Sequence, residues 1–299
     1  MVIRFIPDKT NYKFVSKRYF CIALSICVLL GTMFSLYYKG LNFGIDFSGG
    51  IIIEVKADKP VDLANLRSQL GEGIYLQTLG TDTSSVLIRV APDKNINQAE
   101  QTKIVKDKIS QTIGGKVEFR KVDYVGAQVG GELIHNAVLA LILSFAAMFT
   151  YLWFRFEWQY GAGALLALMH DATAVIGFYS VTGIEFDLTS VAAILTVIGY
   201  SINDSVVIYD RMRENIKKYK KMPLGDLIDL TVNETLSRTI MTVGTTILAL
   251  ISLSIFGGEV IRGFSLGMLF GVVVGTYSSI YVSAILLIYL DPRKAEHNR

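Results

Sequence analysis

Six apolar runs set the plan of this 299-residue chain: Tyr19–Tyr38, Leu133–Phe154, Tyr160–Thr182, Leu188–Tyr209, Arg238–Phe256 and Gly263–Leu290. Each is long enough to cross about 30 Å of hydrocarbon, which takes about 20 helical residues. The last is the longest and predicts a tilted or kinked helix. Only between the first and second runs does the pattern change period. Ile51–Lys56 is a β-branched run, and Val61–Leu70 has helical spacing after Pro60. Ile74–Gly80 and Ser85–Ala91 read as strands around a Gly-Thr-Asp-Thr-Ser turn, Asn97–Ile113 as a helix, and Val117–Val125 as a closing strand. The order βαββαβ is that of the ferredoxin-like split βαβ unit. The predicted fold class is thus a polytopic α-helical membrane protein with six transmembrane helices and one α+β ferredoxin-like domain between helices 1 and 2. The predicted boundaries are a tail at 1–18, helix 1 at 19–39, the α+β domain at 40–131, helices 2–6 within 132–290 with a basic loop at 210–237, and a tail at 291–299.

Composition supports the membrane reading: 52% of residues are hydrophobic and only 18% charged, against about a quarter charged in a soluble domain. The net charge of +3 matters less than its distribution. Arg4, Lys9, Lys13, Lys17 and Arg18 precede the first run, and Arg211, Arg213, Lys217, Lys218, Lys220 and Lys221 follow the fourth. The short segments Gly183–Asp187 and Gly257–Arg262 carry none and one. The positive-inside rule then puts both termini and the 210–237 loop inside, and the α+β domain outside. The basic flank of the first run resembles that of a signal peptide, but Leu36–Lys39 offers no small-residue cleavage site, so the run reads as a retained helix. Apolar Leu224, Leu227, Ile228 and Leu230 after the basic cluster predict an amphipathic helix lying at the inner surface, its lysines and arginines facing anionic headgroups.

Several function classes drop out. The α+β domain balances eleven Lys/Arg against eleven Asp/Glu between Gly40 and Gly131, so it offers no basic surface for nucleic acid. Neither Gly-x-Gly-x-x-Gly nor Gly-x-x-x-x-Gly-Lys-[Ser/Thr] occurs, and no Ser/His/Asp arrangement suggests hydrolysis. Cys21 and Cys27 lie on different faces of the first run, without disulfide or metal-ligand spacing. The expectation is a non-enzyme with no cofactor and no metal.

Ionisable residues at membrane depth are the chemistry that stands out. Asp171 lies at the centre of the third run beside His170, and Asp204 interrupts the fourth between Asn203 and Ser205. Such groups are costly in hydrocarbon and by default mark an ion or proton pathway. Asp204 sits about 9 Å from the inner end of its helix, so Arg238, which begins the fifth run at that same end, could reach it if the helices pack together. Arg238 could equally be a snorkelling residue. Protonated, Asp171 could simply hydrogen-bond and hold the bundle together, and His170, one residue away on a different face, reads first as structural. Gly263, Gly267, Gly271 and Gly275 form a four-residue ladder suited to close helix packing. Gly44, Gly49 and Gly50 before the α+β domain, and Gly130 and Gly131 after it, are hinge candidates.

Four segments together carry a resemblance: Leu41–Gly50 (LNFGIDFSGG), Met169-His170-Asp171, Gly199–Arg211 (GYSINDSVVIYDR) and Asn233–Thr239 (NETLSRT). In this order, with six spans and one large domain between the first two, the chain resembles the SecF-type subunits of the SecD/SecF protein-export family, in the resistance-nodulation-division superfamily. The resemblance implies a bacterial inner-membrane factor that acts with SecD, and with YajC as a further candidate partner. Such a factor uses an ion gradient to complete export of unfolded preproteins through the SecYEG channel. It also implies that Asp204 and Arg238 are the ion-responsive pair. The alternatives are a small-molecule or lipid exporter of the same superfamily, which should need about twelve spans and two large outside domains, and a scaffold that transduces nothing.

Overall fold

In a computed structural model, residues 10–70, 74–78, 84–91, 96–114 and 116–293 are described. Arg4 and Lys9 of the basic tail, the 79–83 part of the predicted turn and the C-terminal residues 294–299 lie outside them. The chain forms two units, one comprising Phe43–Leu139 with Phe186–Leu188, the other the remaining, helical residues.

The first unit follows the predicted order. Strands β1 (Gly50–Ala57), β2 (Ile74–Thr78), β3 (Ser85–Val90) and β4 (Val117–Val125) alternate with helices α3 (Leu63–Leu70) and α4 (Gln98–Ile113). The sheet is antiparallel with order β2-β3-β1-β4. Its alternation sends Ile51, Ile53 and Val55 of β1 to one face, opposite Val90, Ile88 and Val86. Leu66 and Leu70 of α3 and Val105 and Ile109 of α4 complete that core. Both helices begin at side-chain caps. The Asp62 carboxylate accepts from the amides of Ala64 and Asn65 at 2.9 and 3.1 Å, and Asn97 accepts from that of Ala99. That is why α3 starts after Asp62 and not at Val61.

The glycine-rich entry is an ordered motif. After one helical turn, α2 (Ile45–Ser48), Gly49 and Gly50 take φ of 70° and 127°, a region that residues bearing a Cβ rarely adopt. Phe47 packs with Phe43 and Phe186, the amide of Gly44 donates to the carbonyl of Phe186 at 2.9 Å, and the Asp46 carboxylate accepts from the amide of Leu188 at 3.1 Å. The exit differs from expectation more sharply. β4 ends at Val125 and the long helix α5 (Ala127–Arg155) starts two residues later, so Gly130 and Gly131 are helical and do not form a loop hinge. A Cβ on Gly130 would meet the backbone carbonyl of Phe47; the glycine permits that close approach.

The helical unit holds α1 (Arg18–Tyr38), the end of α5, α6 (Trp158–Thr182), α7 (Leu188–Lys218), α8 (Leu224–Phe256), α9 (Gly258–Ser278) and α10 (Ile285–Leu290). α9 and α10 are one span, interrupted by a π-helical segment at Ser279–Ala284, the irregularity that the length of the last apolar run suggested. Six helices among the described residues are long and apolar enough to cross a membrane. Burial divides them: more than half of the apolar stretch of α6, of α7 and of the last span is buried, against about a fifth for α1 and less for α8 and α5. The helices carrying the two acids therefore form the interior.

The region 210–237 is not a loop with a separate surface helix. α7 runs on to Lys218, a short turn follows, and α8 continues from Leu224 to Phe256 without a break. Leu224, Leu227 and Ile228 are buried within the protein, so the apolar face expected on headgroups is spent on packing. Asn233 and Asp229 of the same stretch hold the chain before α1: the amide of Tyr12 donates to Asn233 Oδ1 at 2.9 Å, Asn233 Nδ2 donates to the Tyr12 carbonyl at 2.8 Å, and the amide of Val15 donates to Asp229 at 2.8 Å.

Candidate functional site: two buried carboxylates in the helical unit

Asp171 is fully buried on α6. Its Oδ2 accepts from the hydroxyls of Ser201 on α7 at 2.6 Å and Ser278 on α9 at 2.7 Å. Its Oδ1 lies 3.1 Å from Nδ1 of His170. Although helical period puts His170 on a different face from Asp171, its ring reaches the same cluster. One carboxyl group thus ties three spans together through hydrogen bonds. The two serines carry no signal as single residues within apolar runs; their one mark is position, since Ser201 stands one turn before Asp204 and Ser278 one turn after Gly275.

The glycine ladder makes room for this tie. A Cβ on Gly267 would run into the Tyr179 ring, one on Gly271 into Val197, and one on Gly275 would stand 3.1 Å from Ser201 Cβ and 3.5 Å from Asp171 Oδ2. Gly263 faces Ile184 at 3.4 Å. The seam lies within the chain, between α9 and α6–α7. Below it, Tyr209 and Ser283 share a short hydroxyl hydrogen bond at the π segment, where a Cβ on Gly163 would crowd both Tyr209 and Ser283.

Asp204 is one turn from Ser201 on α7 and 4% exposed. Its carboxylate faces α8, with Thr239 as a hydrogen-bond partner and Arg238 close enough to interact electrostatically. The two helices are brought together at their shared end by a second network: Glu234 accepts from Arg211 Nε and from Asn215 Nδ2, both at 2.7 Å, and Asn215 also donates to Thr231. The predicted neighbours part company. Ser205 is buried beside Asp204, whereas Asn203 and Arg238 are exposed on the helical unit. A charged and an amide side chain exposed at the depth of a buried acid mark a face that hydrocarbon would not solvate.

The family follows from comparison with known proteins. A family model described as protein export membrane protein SecD/SecF, C-terminal, matches residues 104–293, and one for the SecD/SecF GG motif matches residues 34–61. The chain belongs to the SecD/SecF protein-export family. Within it, the similarity is to SecF: the protein translocase subunit SecF of Rickettsia bellii (strain OSU 85-389) is 44% identical over 298 residues, 98% of each chain. That of Rickettsia prowazekii (strain Madrid E) is 43% identical over 297 residues, 98% of this chain and 95% of the relative. The crystal structure of SecDF, a translocon-associated membrane protein from Thermus thermophilus, superposes with a TM-score of 0.84 at 32% identity, over 99% of this chain and 40% of that one. A SecDF structure in a super-membrane-facing form gives 0.71, over 97% and 40%. The chain thus spans nearly the whole length of the SecF relatives and 40% of the SecDF chain. It is a multi-pass membrane protein of the Sec protein-transport pathway, and its relatives are named as translocase subunits, a transport role and not an enzymatic one.

Proposed function

We propose that this chain is the SecF-type half of a proton-driven export device, in which protonation of Asp204 changes its attraction to Arg238 and so the packing of α7 against α8. The observation that carries the reading is the buried Asp204 carboxylate facing Thr239 and Arg238 across two spans. A proton crossing 100 mV releases about 2.3 kcal/mol, enough to bias a two-state element by about fifty-fold. The partner is a SecD-type protein. Exposed Asn203 and Arg238 favour a site completed by another subunit, and the SecDF chain is longer than this one by a further, unmatched part. The working complex acts on unfolded preproteins emerging from SecYEG, in a bacterial inner membrane, with both termini cytoplasmic and the α+β unit outside.

Asp204→Asn is the test. Gradient-dependent export should be lost at normal protein level and normal association with SecD, and Arg238→Ala combined with it should add little to either single defect. Full export by Asp204→Asn would leave a non-transducing scaffold as the function. The topology has its own check: Ser85→Cys should react with an impermeant thiol reagent in intact cells and Lys218→Cys should not, the reverse result overturning the orientation.

A further inference from the structure

The 233–239 segment sets Glu234, Arg238 and Thr239 beside α7, but its first residue faces elsewhere. Asp229 and Asn233 stand four positions apart on α8, hence on one face, and that face meets the chain before α1. Asn233 holds Tyr12 at both backbone groups: the Tyr12 amide donates to Oδ1 at 2.9 Å, and its carbonyl accepts from Nδ2 at 2.8 Å. A side-chain amide offers an acceptor and two N–H donors, so Asn233 pairs with Tyr12 as a neighbouring strand would. Nδ2 also donates to the Asp229 carbonyl at 2.7 Å, which fixes the amide plane. One turn earlier the Asp229 carboxylate accepts from the Val15 amide at 2.8 Å, where the turn Val15–Lys17 leads into α1. Val15 is buried there, and a Cβ on Gly225 would stand 3.5 Å from its side chain. On its other side the same stretch touches the last span: the Phe14 ring packs edge-on against Tyr281 of the π segment, centroids 6.1 Å apart. Residues 10–17 thus bridge the first turns of α8 and the π segment of the last span.

We propose that Asn233 is a positioning residue that fastens residues 10–17 across the first turns of α8 as a strap, and that the strap holds α8 where Arg238 and Thr239 meet Asp204. The helix needs such a fixture, since little of its apolar stretch is buried. Asn233 and Glu234 are adjacent and point about 100° apart, so they fasten α8 in two directions: Asn233 to the strap, and Glu234 to Arg211 and Asn215 of α7. Arg238 follows just over one turn after Asn233, close enough to both fixtures for its position to depend on them. With the strap closed, a change in the charge of Asp204 acts on the contact between α7 and α8 while the start of α8 stays on the last span. With it open, the start of α8 is free to follow α7, and the same change no longer alters how the two helices pack. Each hydrogen bond between uncharged groups shifts an equilibrium by about tenfold at most, so removal of the Asn233 pair should open the strap measurably without unfolding the chain.

The strap rests on the ion-coupling reading only for its effect on export; its fastening is read directly by hydrogen exchange of the full chain in lipid nanodiscs. Asn233→Leu keeps the shape of the side chain and removes both bonds to Tyr12. Exchange at the Tyr12 amide should rise by about tenfold, exchange in the first turns of α8 should rise with it, and the α6 amides should be unchanged. Asn233→Gln, which carries the same groups one methylene further out, should recover part of that protection. Tyr12→Pro deletes the amide donor from the strap side; it should loosen the first turns of α8 to the same extent, and the double variant should be no worse than either alone. Gradient-dependent export should fall severalfold in Asn233→Leu at normal protein level and return in part with Asn233→Gln. Unchanged exchange at Tyr12 in Asn233→Leu, additive effects of the two substitutions, or full export with the strap shown to be open overturns the proposal. Asp204→Asn separates the two readings: if export survives it, the Asp204 switch falls, while the fastening of α8 by the strap stands or falls on the exchange at Tyr12 and at α8.

Discussion

Both units bury apolar residues, but their interiors differ in the polar groups they hold beside them. In the α+β unit the residues with no exposure include Ile51, Ile53, Val55, Leu66, Ile88 and Ile109. In the helical unit they include Ile194, Ile198, Leu227 and Leu287, but also Asp171, Ser190, Thr231, Ser265, Ser278, Ser279 and Ser283, while Phe154, Phe256 and Leu248 are exposed at 85%, 84% and 68%. The reason is the solvent. Water expels apolar surface at about 25 cal/mol per Å², so a domain in water hides its isoleucines. Lipid gives no such drive, since its chains are as apolar as leucine, and helices there associate through close backbone approach and hydrogen bonds between polar side chains. The helical unit therefore places glycines and hydroxyls around Asp171.

The contrast can be broken from either side. The largest effect is expected at the glycine seam. Gly271→Leu would drive a side chain into Val197 and Val175, at a cost of about 3 kcal/mol or more, and should abolish the monodisperse species in size-exclusion chromatography. Gly244→Leu on α8, where a Cβ would have nothing within 4 Å, should elute like the unsubstituted protein. Equal behaviour of the two would deny that the seam governs assembly.

Next comes the water-facing core. Ile53→Ala removes a fully buried side chain paired across both Ile88 and Val122 and should cost about 2–4 kcal/mol, read as faster hydrogen exchange at the β1 amides with the amides of α6 unchanged. Faster exchange of α6 as well would mean that the two cores share one cooperative unit.

Smaller still are the hydroxyls. Ser201→Ala and Ser278→Ala should each destabilise by about 1 kcal/mol in thermal melts, the range measured for polar contacts between spans. Because both donate to Asp171 Oδ2, their combination should be non-additive; strict additivity would separate them. The smallest effect belongs to the lipid-facing surface, where Leu248→Ala should stay within about 0.5 kcal/mol. An effect as large as that of Ile53→Ala would indicate that a partner covers this face of α8.

Much of the plan was legible because it depends on period. Six apolar runs became six helices, and the alternation from Ile51 to Val125 became the βαββαβ sheet with the order expected of its class. The misreadings fell where one pattern has two physical outcomes. Leu224, Leu227 and Ile228 have the spacing of a surface helix, yet that stripe serves equally to pack against neighbouring helices. Gly130 and Gly131 have the freedom of a hinge, yet an absent Cβ also lets a helix approach the carbonyl of Phe47.

The sequence by itself determined the family, the spans and the two acids, since a carboxylate in an apolar run is conspicuous without a structure. Only the tertiary structure decided what each acid faces. Ser201 and Ser278 stand 77 positions apart in the chain and meet at one oxygen of Asp171; His170 folds back onto the other; Arg238 and Thr239 close on Asp204 because the Glu234–Arg211–Asn215 network brings α7 and α8 together. Helical period fixes the direction in which a side chain points from its own axis, but its partner depends on where the other helices stand, and that is set by the sum of many weak contacts along the glycine seam, which no local pattern encodes.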